Sequence, residues 1–173
     1  MSPKAPPESL VALLEVYRHL GQAESAQGVA FIAVNEAHAL TPYRQAVLWS
    51  RAHGVEAVSG LAMPEQTAPF VLWLVPLCRW LAARHQEPTP LTAHDVPAAL
   101  ETEWSEWLPV HGLWVPLGPE AGLFYARPDP WTAGDIALLR YLGEAVAAWR
   151  RPYERRVRFF CLRAGLGLGS VLG

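Results

Sequence analysis

The chain has 173 residues, 51% of them hydrophobic and 17% charged, with a formal net charge of −2. That length fits one domain whose core needs no disulfide or metal, and the two cysteines, Cys78 and Cys161, exclude a disulfide scaffold and a Cys-based zinc finger. The apolar share excludes wholesale disorder, no uninterrupted run is long enough for a membrane span, and no secretory signal opens the chain.

Residues 1–7 hold Pro3, Pro6 and Pro7 and read as a flexible arm. Ser9 is placed to cap a helix running to about Glu24, with Leu10, Leu13, Leu14, Tyr17 and Leu20 recurring at three and four. The short apolar run Gly28–Val34 predicts a buried strand, ended by Asn35 and Glu36. Residues 45–50 and 55–60 predict two more strands on either side of the His53-Gly54 turn, so that the three would form a meander. From Pro69 to His85 the pattern is helical and apolar on most sides, as in a buried helix, and Pro76 is expected to kink or divide it.

Residues 86–97, with Pro88 and Pro90, read as a loop, and 98–107 as a short helix with Leu100, Trp104 and Trp107 on one face. Two strands follow, 113–117 and 123–127, around a Gly-Pro turn; Pro116 places its strand at an edge or bulge. Thr132 and Asp135 are spaced as a capping box with Asp in the place of Glu, and they open a helix to about Trp149. Its stripe is Ile136, Leu139, Leu142, Val146 and Trp149. This element order predicts an α+β layer structure with an antiparallel sheet.

Charge is uneven along the chain. Six of the 14 basic residues lie between Arg150 and Arg163, opposed only by Glu154, whereas residues 1–149 carry 8 basic and 15 acidic groups. The acidic body argues against nucleic-acid binding. The basic stretch suits contact with anionic lipid, RNA or an acidic partner.

Catalytic and metal motifs do not emerge from the six histidines, which show no HxxxH or HExxH spacing. There is no CxxC and no nucleophile elbow, and the Gly-Leu-Gly-Leu-Gly at 165–169 lacks the Lys-Ser/Thr and following helix of a phosphate loop. His94-Asp95 in the Pro-rich loop is the one local pairing. No enzyme and no cofactor are expected.

The succession Leu113-Trp114-Val115-Pro116-Leu117, Gly122-Leu123-Phe124-Tyr125-Ala126-Arg127, Pro130-Trp131 and Asp135-Ile136-Ala137-Leu138-Leu139 resembles the C-terminal half of a GAF domain. There a "vPL" strand, a "G-x-L" strand and a "D-xx-LL" helix follow in that order. The resemblance covers about residues 8–150 and implies a GAF-like antiparallel sheet of about five to six strands with helices packed on it. A second segment, Val34-Asn35-Glu36 with Leu40 to Leu48, is similar to GAF-like regions that precede a membrane anchor and an adaptor segment in some bacterial export systems. On that comparison residues 151–173, basic and then Gly/Leu-rich, resemble the start of a truncated membrane segment; an ordinary Gly-rich tail is the other reading.

The resemblance implies a sensory or regulatory domain with a small-molecule pocket under one sheet face. Candidate walls are Phe31, Trp49, Trp104, Trp107, Trp114 and Phe124, with Arg44 beside Tyr43 as an anchor for an anionic group and Asn35 at a strand end. The expected partner is a small molecule or a protein, in a cytoplasmic protein working at the inner face of a membrane, with the two terminal helices as the seam of a homodimer. The alternative is a ligand-free interaction module whose core is filled by Trp; the chain holds eight tryptophans.

Overall fold

The computed structural model describes residues 7–166, and the side chains of residues 8–152. Residues 1–6 of the expected N-terminal arm (1–7) and the end of the Gly/Leu-rich tail (167–173) lie outside the described residues, and Pro7 opens the first helix. Five helices, α1 (Pro7–Gln22), α2 (Ala26–Asn35), α3 (Pro69–Arg84), α4 (Ala98–Trp107) and α5 (Ala133–Leu166), surround one sheet. Its strands are β1 (Gln45–Ser50), β2 (Gly54–Val58), β3 (Thr89–Leu91), β4 (His111–Pro116) and β5 (Ala121–Arg127). They stand in the order β2-β1-β5-β4-β3, and every pair is antiparallel. The chain is an α+β structure with five strands in one sheet, as the element order implied.

Two hairpins, β1-β2 and β4-β5, are joined through β1 and β5, which run side by side from Gln45↔Ala126 to Ser50↔Ala121. β5 therefore has neighbours on both edges, and all seven of its residues are buried. Alternation along the strands sends side chains to two separate cores. Ala46, Leu48, Leu113, Val115, Leu123 and Tyr125 face α1, α2 and α5. Val47, Trp49, Trp114, Phe124 and Ala126 face α3 and α4. The sheet is thus the middle of three layers.

The expected strand at Gly28–Val34 is instead most of α2. Ser25 caps it, its hydroxyl accepting from the Gly28 N–H at 3.0 Å, and five of its residues are buried. A short run apolar on every side fits a buried helix as well as a buried strand, and periodicity alone does not separate them. The meander is accordingly only a hairpin. The loop expected at 86–97 contains β3 and a 3₁₀ turn, Ala93–Asp95. β4 is not an edge strand: β3 covers it at Gly112–Trp114. Pro116 lies past the end of that pairing, so its missing N–H costs the sheet nothing on that side.

α3 runs through Pro76 without a break. The Thr132/Asp135 box is formed: Thr132 N–H donates to the Asp135 carboxylate at 3.3 Å, and Asp135 N–H to the Thr132 hydroxyl at 3.1 Å. α5 buries Leu139, Leu142 and Val146, but Trp149 is largely exposed and Arg150 is buried in its stead. Arg150 forks onto Glu56 of β2 with bonds of 2.9 and 2.8 Å. The expected domain boundary at residue 150 falls inside α5, which continues to Leu166.

Candidate functional site

The face of the sheet under α3 and α4 carries most of the predicted wall residues. Trp49 of β1, Trp114 of β4 and Phe124 of β5 point into it, and Trp104 comes down from α4. Their ring centroids lie 6.5 Å apart for Trp49–Trp114 and 6.0 Å for Trp104–Phe124. Trp73 of α3 meets Trp104 edge-on at 6.1 Å. Backbone near these rings is bare. A Cβ on Gly122 would stand 2.1 Å from Trp114 Cζ2, and one on Gly112 2.7 Å from Phe124 Cζ. Glycine at these two strand positions is what lets the large rings lie flat on the sheet.

Hydrogen bonding in this layer is incomplete. Trp104 Nε1 donates to the Pro109 carbonyl at 2.8 Å. The Nε1 atoms of Trp49, Trp73 and Trp114 are buried and have no acceptor among the described residues. Buried indole donors ordinarily find one. Cys78 of α3 is fully buried in the same layer, and burial pushes its thiol up, so it stays protonated and inert.

At the rim of the layer is an open cleft of about 340 Å³, lined by Arg44, Gln45 and residues 105–109. Arg44 and Trp107, two predicted site residues, thus share one cleft. Trp107 is half-buried and packs on Phe70 at 5.8 Å. Gln45 donates to the Ser59 hydroxyl at 3.1 Å.

The other predicted residues are elsewhere. Phe31, read as strand, sits on α2 and is 54% exposed, so it walls nothing. Asn35 ends α2: its amide donates to the Phe31 carbonyl at 3.1 Å and its oxygen accepts from Gly60 N–H at 2.9 Å. Tyr43 belongs to the opposite core, where its hydroxyl donates to the Val34 carbonyl at 2.7 Å and its ring tilts against Tyr125. Burial raises the pKa of both phenols. Trp73 was missed as a wall residue, because its position in an all-apolar helix marks it only as core.

Arg127 is a buried hub that closes the end of β5. It bonds Asp135 at 2.6 Å and the Thr41 hydroxyl at 2.9 Å and lies 4.0 Å over the Trp131 ring. His94 pairs with Glu101 at 2.7 Å on the exposed face of α4, not with Asp95, which closes the Thr92 turn. No cluster of three metal-ligating side chains occurs among the described residues. Nor is any helix among them long and apolar enough to cross a membrane.

No family model matches the sequence, and no curated protein matches it. Solved structures do. The GAF domain of a phosphoenolpyruvate-protein phosphotransferase from Coxiella burnetii is 14% identical at a TM-score of 0.65, over 87% of this chain and 97% of that one. That of a sensor histidine kinase from Pseudomonas syringae pv. tomato is 18% identical at 0.56, over 90% and 92%. The phycoerythrobilin-bound GAF domain of a cyanobacterial phytochrome is 10% identical at 0.56, over 83% and 95%. At such identities the likeness is one of backbone, and it extends over most of the chain: the fold is that of the GAF domains.

Proposed function

We propose that the chain is a non-catalytic sensory or regulatory domain that binds a small apolar molecule bearing hydrogen-bond acceptors, on the sheet face covered by α3 and α4. The observation that carries this reading is the set of three buried indole donors, on Trp49, Trp73 and Trp114, with no acceptor. An unmet buried donor costs about 1–3 kcal/mol. A ligand supplying carbonyl or ether oxygens would recover that cost on binding. α3 has a place at which to yield: Pro76 removes one rung of its ladder. The phycoerythrobilin-bound neighbour supports ligand binding on this fold.

The test is a thermal-shift screen of the full chain against metabolites, cyclic nucleotides, bilins and haem, with tryptophan emission as second readout. A ligand at 100 times its Kd adds about 2.7 kcal/mol of stability. A hit that also moves the emission supports the reading. Silence from every class favours the second one, a ligand-free interaction module. That alternative draws on the ring-to-ring packing at 6.0–6.5 Å, which fills much of the layer.

A homodimer through the terminal helices is part of the proposal. Leu10, Val11 and Leu14 of α1 and Tyr141 and Trp149 of α5 are exposed, which supports an apolar seam. Light scattering that finds a monomer at all concentrations removes it. So is a cytoplasmic location, with the basic stretch from Arg151 onward against an anionic membrane, beside an export system. Arg150 takes no part in that contact, being buried against Glu56. Co-sedimentation with anionic but not neutral vesicles is its test.

A further inference from the structure

The geometry points to a second binding site, in the rim cleft, for a small zwitterion: a free amino acid carrying one carboxylate and one ammonium group. Its chemistry is independent of the aromatic layer. The cleft is about 340 Å³, and its lining is set with opposite charges, Arg44 just before β1 and Glu106 at the end of α4. Among the described residues the Arg44 guanidinium, the Glu106 carboxylate and the Ser105 hydroxyl have no side-chain partner. Other acidic side chains nearby are engaged: Glu101 with His94 and Glu103 with the Trp107 indole.

Helix geometry sharpens the polarity. The last intrahelical-type bond of α4 runs from Leu108 N–H to the Trp104 carbonyl, at 2.8 Å. The next three carbonyls, of Ser105, Glu106 and Trp107, follow it at the negative end of the helix dipole, and all three residues line the cleft. An ammonium group suits that end, assisted by the Glu106 charge and the Trp107 ring. A carboxylate suits the Arg44 fork, which lines the same cleft. Leu108 and Pro109 also line the cleft. Arg44 itself is held at its backbone, its N–H donating to the Ala126 carbonyl at 2.9 Å, so the cation's origin is fixed to the sheet.

The experiment titrates the full chain with glycine, β-alanine, γ-aminobutyrate and ε-aminocaproate, read by two-dimensional amide NMR. This series separates the two charges stepwise and measures the spacing of the anchors. Saturable shifts at residues 105–109, with one chain length preferred, are expected. R44Q and E106Q should each weaken that binding at least tenfold while the thermal midpoint holds, since both side chains are exposed or solvated. Acetylating the amine or amidating the acid of the preferred probe should do the same. No saturable shift from any member at 20 mM overturns the inference, as does binding indifferent to both substitutions. Failure of the apolar-ligand screen would leave this site standing, because binding here is read residue by residue at 105–109 and by its loss in R44Q and E106Q.

Discussion

The two faces of the sheet handle polar atoms in opposite ways. Toward α1, α2 and α5, the buried phenols of Tyr43 and Tyr125 each donate to a carbonyl of α2, at 2.7 and 2.8 Å. The ion pairs Arg127–Asp135 and Arg150–Glu56 also tie α5 to the sheet side, at 2.6 and 2.8 Å. Toward α3 and α4, three indole donors go unmet. One face is finished as a structural core; the other keeps unspent bonding capacity.

The sharpest way to break the contrast is to overfill the aromatic layer. Gly122→Ala puts a Cβ 2.1 Å from Trp114, and the loss should be about 3 kcal/mol or more by urea unfolding. A loss under 1 kcal/mol would mean that the rings are free to move aside.

Acid should act on the other face. Burial alone would raise Glu56 and Asp135. The bonds and charge from Arg150, with Ser50, hold Glu56 below its ordinary 4.5, and the bonds from Arg127, Thr132 and Thr41 hold Asp135 below 3.8. Depressed carboxylates stabilise fully above those ordinary values and lose that contribution as pH falls through the lower folded ones. Stability should therefore drop below about pH 4, with amide exchange rising along α5 before α3. Glu56→Gln should weaken the fold by about 2 kcal/mol at neutral pH and flatten the acid limb.

Deleting one polar atom on each side compares the faces directly. Tyr125→Phe strands the Ala33 carbonyl and should cost about 1–2 kcal/mol. Replacing Trp114 by benzothienylalanine, which swaps its N–H for sulfur, should cost nothing and gain up to about 1 kcal/mol. Equal losses at both positions would show that Trp114 has an acceptor after all. The smallest effect is expected far from either core. The Glu15–Arg18 pair is over half exposed on both sides, so Glu15→Gln should change stability by less than about 0.5 kcal/mol.

Legibility in the sequence followed the same division. β1, β4 and β5 were readable because β-branched and aromatic residues sit between turn residues, and α3 to α5 because their apolar repeats or caps are long enough. α2 was not, since Val29, Ala30, Ile32, Ala33 and Val34 bury on several sides and a ten-residue helix of this kind has no clear stripe. β3 was hidden by its length of three residues and by Pro90. For the aromatic layer, the sequence named Trp49, Trp104, Trp114 and Phe124 but not Trp73. The error at Phe31 came directly from reading α2 as a strand. Tyr43 and Arg44, adjacent in sequence, go to opposite sides of the sheet, a separation that spacing alone does not reveal.

The fork from Arg150 to Glu56 marks a point along α5 with a mechanical meaning. The helix spans 34 residues, about 51 Å at 1.5 Å per residue. Its first half lies against the sheet as far as this fork, and about 24 Å of helix follows it. Pro152, two residues on, removes the N–H that would bond the carbonyl of Ala148. Glu56 rides on β2, an edge strand whose Val55 and Val58 enter the aromatic core. A shift of β2 by a fraction of an ångström would be passed to α5 at this fork and enlarged along the helix that follows it.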